Sequence, residues 1–487
     1  MCKVQFGPFR ILSALLFIAL ICIGQDVSAQ TTAERVKLLE ATLQDLLKRD
    51  EEKDRLIKNL LSEVKSLGGD AKALSSTTHG KDEHDHGKHD DHGKVETGNS
   101  LFAKKVGNTI VRLDSIGVNT AMTVGHSSET GAVARTLQGG GHDPDGTGFT
   151  LQTADFGMTG SVDGYFDGEF HVAYFLDQDG ESKVEVEEAF LRTNSLPIGL
   201  EIEAGQQFLE FGAFNPSHLH DWDFIDQPVI LTRMFGGDGI RQTGVRLGWR
   251  GSNSPLGLHF GAYNSRGETM KSFLAADETI GGRTFRSQDV LGFSDLVYLA
   301  RLELNGELWH GSHIDLGFSG LTGPNATGND ASTQIAGVDL RFENKLSGGR
   351  KFNWQSEFLF RQYELGSDNN LDLLSSHIED YGFYTQATYE FAPKFSVGIR
   401  YELAMGEGHG VTDRQADDDR ADRHRISPML RWAFAPLGDV RLQYNYDELD
   451  SLDATTGETN AHAVWLGLRF GFGAGGEFWA GDHGHKH

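Results

Sequence analysis

A chain of 487 residues with 70 acidic and 44 basic side chains, formally −26 at pH 7, has the wrong sign for a nucleic-acid binder, which needs a basic footprint. Cys2 and Cys22 are its only cysteines, and both lie in an N-terminal apolar segment, so the rest of the chain holds no disulfide and no thiolate metal site. No later stretch has the roughly 20 apolar residues of a membrane helix, whereas 61 glycines, 31 phenylalanines and 11 tyrosines favour strands and turns.

Residues 1–29 read as a secretory signal peptide: Lys3 and Arg10, the apolar run Ile11–Ile23, then Val27-Ser28-Ala29. Over 32–67, Val36, Leu39, Leu43, Leu46, Ile57, Leu60, Val64 and Leu67 keep a 3–4 spacing, with Asp50 and Lys53 at the seam positions between. That spacing predicts an α-helical coiled coil and therefore an oligomer. The blander reading is a lone amphipathic helix packed on the following domain.

Residues 68–107 form a His/Asp-rich, disordered linker containing HGKDEHDHGKHDDHG. His84, His86, His89 and His92, set among carboxylates, are candidate ligands for Zn²⁺, Ni²⁺ or Cu²⁺, against the alternative of a merely soluble spacer. A second set, His483, His485 and His487, closes the tail 474–487.

Residues 108–473 alternate strand and turn. Phe395, Val397, Ile399, Tyr401 and Leu403 take one face of a strand, and Ser396, Gly398, Arg400 and Glu402 take the other. Sixteen such segments can be counted, near 116–125, 148–157, 162–176, 184–194, 199–208, 240–250, 256–264, 295–305, 312–321, 332–343, 352–364, 378–391, 395–404, 424–434, 439–447 and 461–472. Short turns such as Ala392-Pro393-Lys394 alternate with long polar loops such as 126–147 and 209–239. The fold class this predicts is all-β: a 16-stranded antiparallel transmembrane β-barrel, preceded by a periplasmic coiled coil and a His-rich linker. An even strand count puts both chain ends on one side, expected to be the periplasm, with the barrel in a bacterial outer membrane.

The third external loop, within Gln206–Gly239, is too aromatic to be disordered and must pack on something. It carries Glu210, Asp221, Asp223, Asp226 and Asp238 against Arg233, the candidate constriction residues. Parity turns Arg246, Arg250, Arg301, Arg341, Arg361 and Arg400 into the lumen as pore-wall residues, together with a matching number of acids that includes Glu203, Asp339 and Glu402. The loop acids are expected to face an arginine group such as Arg246, Arg250 and Arg301 across a narrow gap, where opposed charge makes a strong local field. The alternative is that those acids only solvate a loop over the mouth. His218 and His220, at i and i+2 beside Asp221, form a candidate divalent-metal chelate, against a packed loop whose histidines bond backbone carbonyls.

The run EAFLRTNSLPIGLEIEAGQQFLEFGAFNPSHLHDWDFIDQP, followed by GIRQTGVRLGW, resembles the phosphate-selective-porin-like (porin O/P type) outer-membrane superfamily. Within it, Glu188–Trp249 is similar to His-rich bacterial proteins labelled zinc-regulated or TonB-dependent outer-membrane receptors. The resemblance implies a trimeric porin whose third loop folds inward. It does not bring a plugged TonB-type transporter, which needs about 22 strands, nor phosphate selectivity, which would want a basic ladder free of acids.

The expected function is an outer-membrane, porin-like channel for passive diffusion of small polar or charged solutes, with a link to divalent metal (zinc) uptake. The alternatives are a periplasmic zinc-binding protein anchored by a barrel and a structural envelope tether. The expected partners are outer-membrane lipid, two further copies through coiled coil and barrel, and small solutes or metal ions. No cofactor is required, Zn²⁺ being the ion the histidine sets would take. No H-E-x-x-H, Walker loop or G-x-S-x-G occurs, so no enzyme is expected.

Overall fold

The computed structural model describes residues 100–474 apart from 178–179, 252–253, 276–278, 281–282, 285–289, 329–330, 368–373, 409–419 and 450–458. The expected signal, coiled coil, His-rich linker cluster and His483–His487 tail lie outside the described residues. Strands β1 (Phe102–Val106), β2 (Thr109–Ser127), β3 (Gly148–Val162), β4 (Phe166–Leu176), β5 (Ser182–Thr193), β6 (Leu200–Phe208), β7 (Arg241–Arg250) and β8 (Leu256–Tyr263) come first. A small hairpin, β9 (Thr279–Ile280) and β10 (Arg283–Thr284), follows in a loop. Then come β11 (Val297–Gly306), β12 (Ser312–Pro324), β13 (Ser332–Lys345), β14 (Lys351–Leu365) and β15 (Ser376–Ala392). The last are β16 (Phe395–Gly408), β17 (Arg423–Ala435), β18 (Gly438–Leu449) and β19 (Thr459–Ala474).

Each strand pairs antiparallel with its sequence neighbour, β8 bridges to β11 (Tyr263 with Val297), and β19 closes on β2 (Ala474 with Ile116). Strands β2–β8 and β11–β19 thus make a closed ring of sixteen, with no free edge to be covered. The first and last ring strands begin and end on one rim, the rim of the short turns.

The ring matches the sixteen expected segments, with two boundary corrections. Residues 102–106, expected as linker, form β1 and fold back on β2, whose start is Thr109 rather than residue 116. Gly107 at φ +65° makes the tight turn, and Lys104 and Lys105 hide the strand from an alternation search. β19 runs on to Ala474, where Phe472 was expected to close the barrel.

Which face is buried separates a membrane barrel from a soluble sandwich. On β16, Phe395, Val397, Ile399 and Tyr401 are exposed on the outer surface, whereas Arg400 and Glu402 are buried inside. On β18, Leu442 is 49% exposed while Gln443 and Asn445 are fully buried. Apolar out and charged in is the inverse of a water-soluble sheet, and it fits a wall whose outer solvent is hydrocarbon. The core is correspondingly not sheet against sheet. It is a loop packed into the lumen.

Candidate functional site

The connection from β6 to β7, residues 209–240, turns inward. Its apolar side chains Phe211, Phe214, Trp222, Leu231, Met234 and Phe235 are buried with the lumen-facing Leu299, Ile335, Leu359 and Tyr384. Rings interlock within it: Phe211 meets Phe235 edge-on at 5.2 Å, and Phe214 lies against Trp222 at 4.9 Å. Helix α2 (Val229–Phe235) is buried on nearly every side, as an apolar turn of helix must be. Pro228 precedes it, Glu402 on the wall accepts the Val229 N–H at 2.6 Å, and Gly236 at φ +90° ends it.

The wall leaves room for this packing. A Cβ on Gly337 of β13 would sit 2.7 Å from the Phe211 ring. Gly337→Val is therefore expected to displace Phe211 and lower the thermal unfolding midpoint, at a cost of about 1–3 kcal/mol for overpacking, while Val338→Ala on the outer face changes little. Heat-modified gel migration reads both; equal midpoints would show that the loop does not rest on this wall position.

Polar anchors fix the same loop. Asp226 is fully buried: Arg425 donates to it at 2.9 Å, Gln443 at 2.7 Å, Asn445 at 2.6 Å, and Arg400 pairs with it as well. Burial pushes the Asp226 carboxyl up, but Arg400 and Arg425 outweigh it and hold the pKa at about 2. Glu357 accepts from the Ala213 N–H at 2.9 Å, and Arg341 donates to the Ala213 carbonyl at 2.9 Å. Arg233 on α2 donates to the Arg420 and Ala421 carbonyls, and burial holds its pKa down, to about 10.

The expected constriction and wall residues lie in one lumen; of the arginines expected to face the loop acids, Arg246 does so and Arg250 and Arg301 pair elsewhere. Among the loop acids, Glu210 meets Arg246 at 3.8 Å, Asp226 goes to Arg400 and Arg425, Asp238 to His142 at 3.7 Å, and Asp221 to His220 at 3.7 Å. Arg250 and Arg301 pair instead with wall acids, Glu303 for both and Asp339 for Arg301, and Arg361 pairs with Asp380 at 2.6 Å. Asp223 is half-buried.

The lumen charge, expected to be evenly balanced, is segregated by sector. Asp439 is shared by Arg431, Arg441 and Arg469, Asp447 by Arg423 and Arg425, and Asp380 by Arg361 and Arg420. Around β5–β7 the ratio inverts: Arg192, Arg241 and Arg246 are set among Glu185, Glu201, Glu203 and Glu210, and His218 lies between Glu187 and Glu188. β7 and β17 stand half a turn apart in the ring, so an acid-rich wall faces an arginine-rich one across the loop. Opposed charge in a low-dielectric passage orients polar solutes.

On the arginine-rich side lies a cavity of about 250 Å³. It is bounded by α1 (Gly131–Leu137) of the first loop, by α2, by the loop after β8 and by β17. Its charged lining is Arg135, Arg233, Lys271, Arg423 and Arg425 against Asp143. Asp143 accepts from the Gln227 N–H at 2.8 Å and the Gly140 N–H at 3.0 Å, tying the first loop to the third. Burial, then Asp226 nearby, pushes the Asp143 carboxyl up to about 6, against the opposing pull of Gln227 and Arg425.

That value gives a signed pH dependence. An acid whose folded pKa of about 6 exceeds its unfolded value of about 3.9 costs stability as pH rises through that window and no more above it. In the folded protein Asp143 is mostly neutral below about pH 6, which makes the cavity more positive. The anion-to-cation permeability ratio is expected to rise as pH falls from 7.5 to 5, and Asp143→Asn should hold the acid-side ratio throughout. A ratio that follows pH equally in both proteins would place the titrating group elsewhere.

His218 and His220 stack at 5.4 Å, but their polar partners differ: Glu187 and Glu188 for His218, Asp155 for His220. The side chains meeting His218 come from a β-bulge. β4 and β5 slip register between His171 and Val172, so that Glu187 is an extra residue and Glu187 and Glu188 both reach the loop. Sequence parity missed His142, His171, Glu187, Asp155 and Arg425. The signals available were the Glu187-Glu188 doublet, which breaks the alternation of β5, and Asp167, Glu169 and His171 recurring at every second position of β4.

No family model matches the chain. It is 28% identical over 283 residues to an uncharacterized protein of Aquifex aeolicus (strain VF5), covering 54% of this chain and spanning 57% of that relative's length. Among solved structures, the outer-membrane channel DcaP of Acinetobacter baumannii superposes with a TM-score of 0.51 at 15% identity, over 77% of this chain and 100% of that one. OprB of Pseudomonas putida gives a TM-score of 0.47 at 11% identity, over 74% and 94%. At 15% identity the likeness to DcaP is one of fold: a closed antiparallel barrel of the kind found in that outer-membrane channel.

Proposed function

We propose that this protein is an outer-membrane, porin-type channel for passive diffusion of small polar and charged solutes, with small anions favoured at its narrowest part. The observation that carries the reading is the inward-folded 209–240 loop, anchored between an acid-rich and an arginine-rich wall, beside a cavity with five basic side chains and one acid. Of the loop acids that would repel anions, Glu210 and Asp226 are engaged with wall arginines, and Arg135 and Lys271 add positive charge at the border of the cavity. The apolar outer face supports the membrane setting, and the shared rim of the ring's two ends fits chain termini on the periplasmic side.

The heptads of 32–67 support a homotrimer held by a coiled-coil stem, and the histidines of the linker and tail support a zinc-buffering role beside the pore. The chemistry asked of the barrel is transport only. Swelling of liposomes containing the purified protein tests it: small carboxylates and sugars are expected to enter and large oligosaccharides to be excluded. No swelling with any solute would remove the channel reading.

A further inference from the structure

One cluster in the lumen is not explained by holding a loop or passing a solute. Glu169 and His171 of β4, Glu188 of β5 and His218 of the loop each present one donor atom, and the four atoms lie within 4.8 Å of one another. His171 Nε2 is 3.0 Å from Glu169 Oε1, and His218 Nε2 is 2.9 Å from Glu188 Oε2. The two imidazoles stack at 4.2 Å. Behind them, Asp155 faces His171 Nδ1 at 3.4 Å and Glu187 faces His218 Nδ1 at 3.1 Å. His171 is fully buried and His218 nearly so.

Two features of this arrangement point beyond a salt-bridge network. First, each imidazole has one nitrogen toward the centre of the cluster and a separate carboxylate on the other, which is how metal-ligating histidines are oriented. Second, the charge balance is poor without a cation. Asp155, Glu169, Glu187 and Glu188 are four carboxylates; Arg241 near Glu187 is paired with Glu185, His142, at 3.6 Å from Glu187, is shared with Asp238, and His220, at 3.3 Å from Asp155, with Asp221, so balance requires His171 and His218 both protonated while stacked face to face. Buried charge left unbalanced is costly.

We propose that Glu169, His171, Glu188 and His218 bind one divalent transition-metal ion, of which Zn²⁺ is the best match, and that this ion clips the constriction loop to strands β4 and β5. Two imidazole nitrogens and two carboxylate oxygens are a Zn²⁺ donor set, and bonds of about 2.0–2.2 Å in a tetrahedron put ligand atoms roughly 3.4 Å apart. The four donor atoms, within 4.8 Å of one another, must draw closer to reach that shape. The ion takes the place of the protons held between the two His–Glu pairs, which leave as it enters. Wall and loop are then joined by coordinate bonds at the loop's acid-rich end, opposite the Asp226 anchor. The site differs from an i, i+2 chelate by His218 and His220, and it stands whether or not the barrel conducts.

The test uses the full-length chain with the linker and tail histidines replaced by asparagine, so that Zn²⁺ content after dialysis reports the barrel alone. One equivalent of Zn²⁺ is expected, and Co²⁺ in its place should give the intense visible absorption of a tetrahedral centre. His171→Asn and Glu169→Gln, each checked for folding by heat-modified migration, should bind less than a tenth as much Zn²⁺ at the same free concentration. Asp155→Asn, which removes only an orienting group, should weaken binding about 10–100-fold. A full equivalent retained by His171→Asn would overturn the proposal and place any ion on the overlapping Asp155, Glu187 and His218 group. An octahedral Co²⁺ spectrum, or no bound Zn²⁺ in the parent, would overturn it too.

Discussion

Replacing Asp226 by alanine is expected to release the constriction loop from its wall. The carboxylate is fully buried and accepts hydrogen bonds from Arg425, Gln443 and Asn445 while pairing with Arg400. Its loss leaves two buried guanidinium groups, Arg400 and Arg425, with Glu402 and Asp447 as their remaining ion-pair partners and the Asp226 and Leu137 carbonyls as acceptors. Removing one partner of a buried pair costs about 3–5 kcal/mol, because the remaining charge stays uncompensated. Here the wall is held by its own ladder of backbone bonds, so the energy should be lost from loop docking rather than from the ring. The expected result is a barrel that still folds, unfolds at lower temperature, and conducts with larger and noisier steps. Asp226→Asn, which keeps the shape but not the charge, should lie between. A variant with unchanged conductance and midpoint would mean that the loop is held elsewhere.

The second large effect concerns selectivity. Arg135 and Lys271 border the basic cavity, Arg135 at an exposed position and Lys271 at a half-buried one. Arg233, Arg423 and Arg425 hold backbone carbonyls and carboxylates in place. The double change Arg135→Gln/Lys271→Gln removes two positive charges from the border of the cavity and leaves Arg233, Arg423 and Arg425 with their partners. Across a tenfold salt gradient the reversal potential is expected to move toward the cation side by tens of millivolts, with little change in the unfolding midpoint. The shift should shrink at high salt, where exposed charges are screened over about 3 Å at 1 M. An unchanged reversal potential would mean that the permeating ions do not pass this cavity.

Much of the wall was legible in the sequence because a barrel strand obeys one rule. Side chains alternate between lipid and lumen, so Val397, Ile399 and Tyr401 against Arg400 and Glu402 declare both the strand and its inner face. The position of the aromatic loop followed from counting strands. What the rule could not supply was pairing across the lumen. Asp226 meets Gln443 and Asn445 more than 200 positions away, and nothing local to either marks the other. The rule also fails where alternation itself breaks. At Glu187-Glu188 a bulge brings two consecutive carboxylates to the loop, and a strict period of two assigns one of them to lipid. The two carboxylates that His218 meets were hidden for that reason. An even tally of lumen charges likewise concealed their separation onto facing walls.

On the reading proposed above, a closed barrel with an inward loop conducts through a charged passage. Single-channel recording of the purified full-length protein in a planar bilayer, under a salt gradient, tests it most directly. Discrete, ohmic steps with a reversal potential on the anion side are predicted. A membrane that stays silent when correctly folded protein is inserted, or steps that reverse on the cation side, would contradict it.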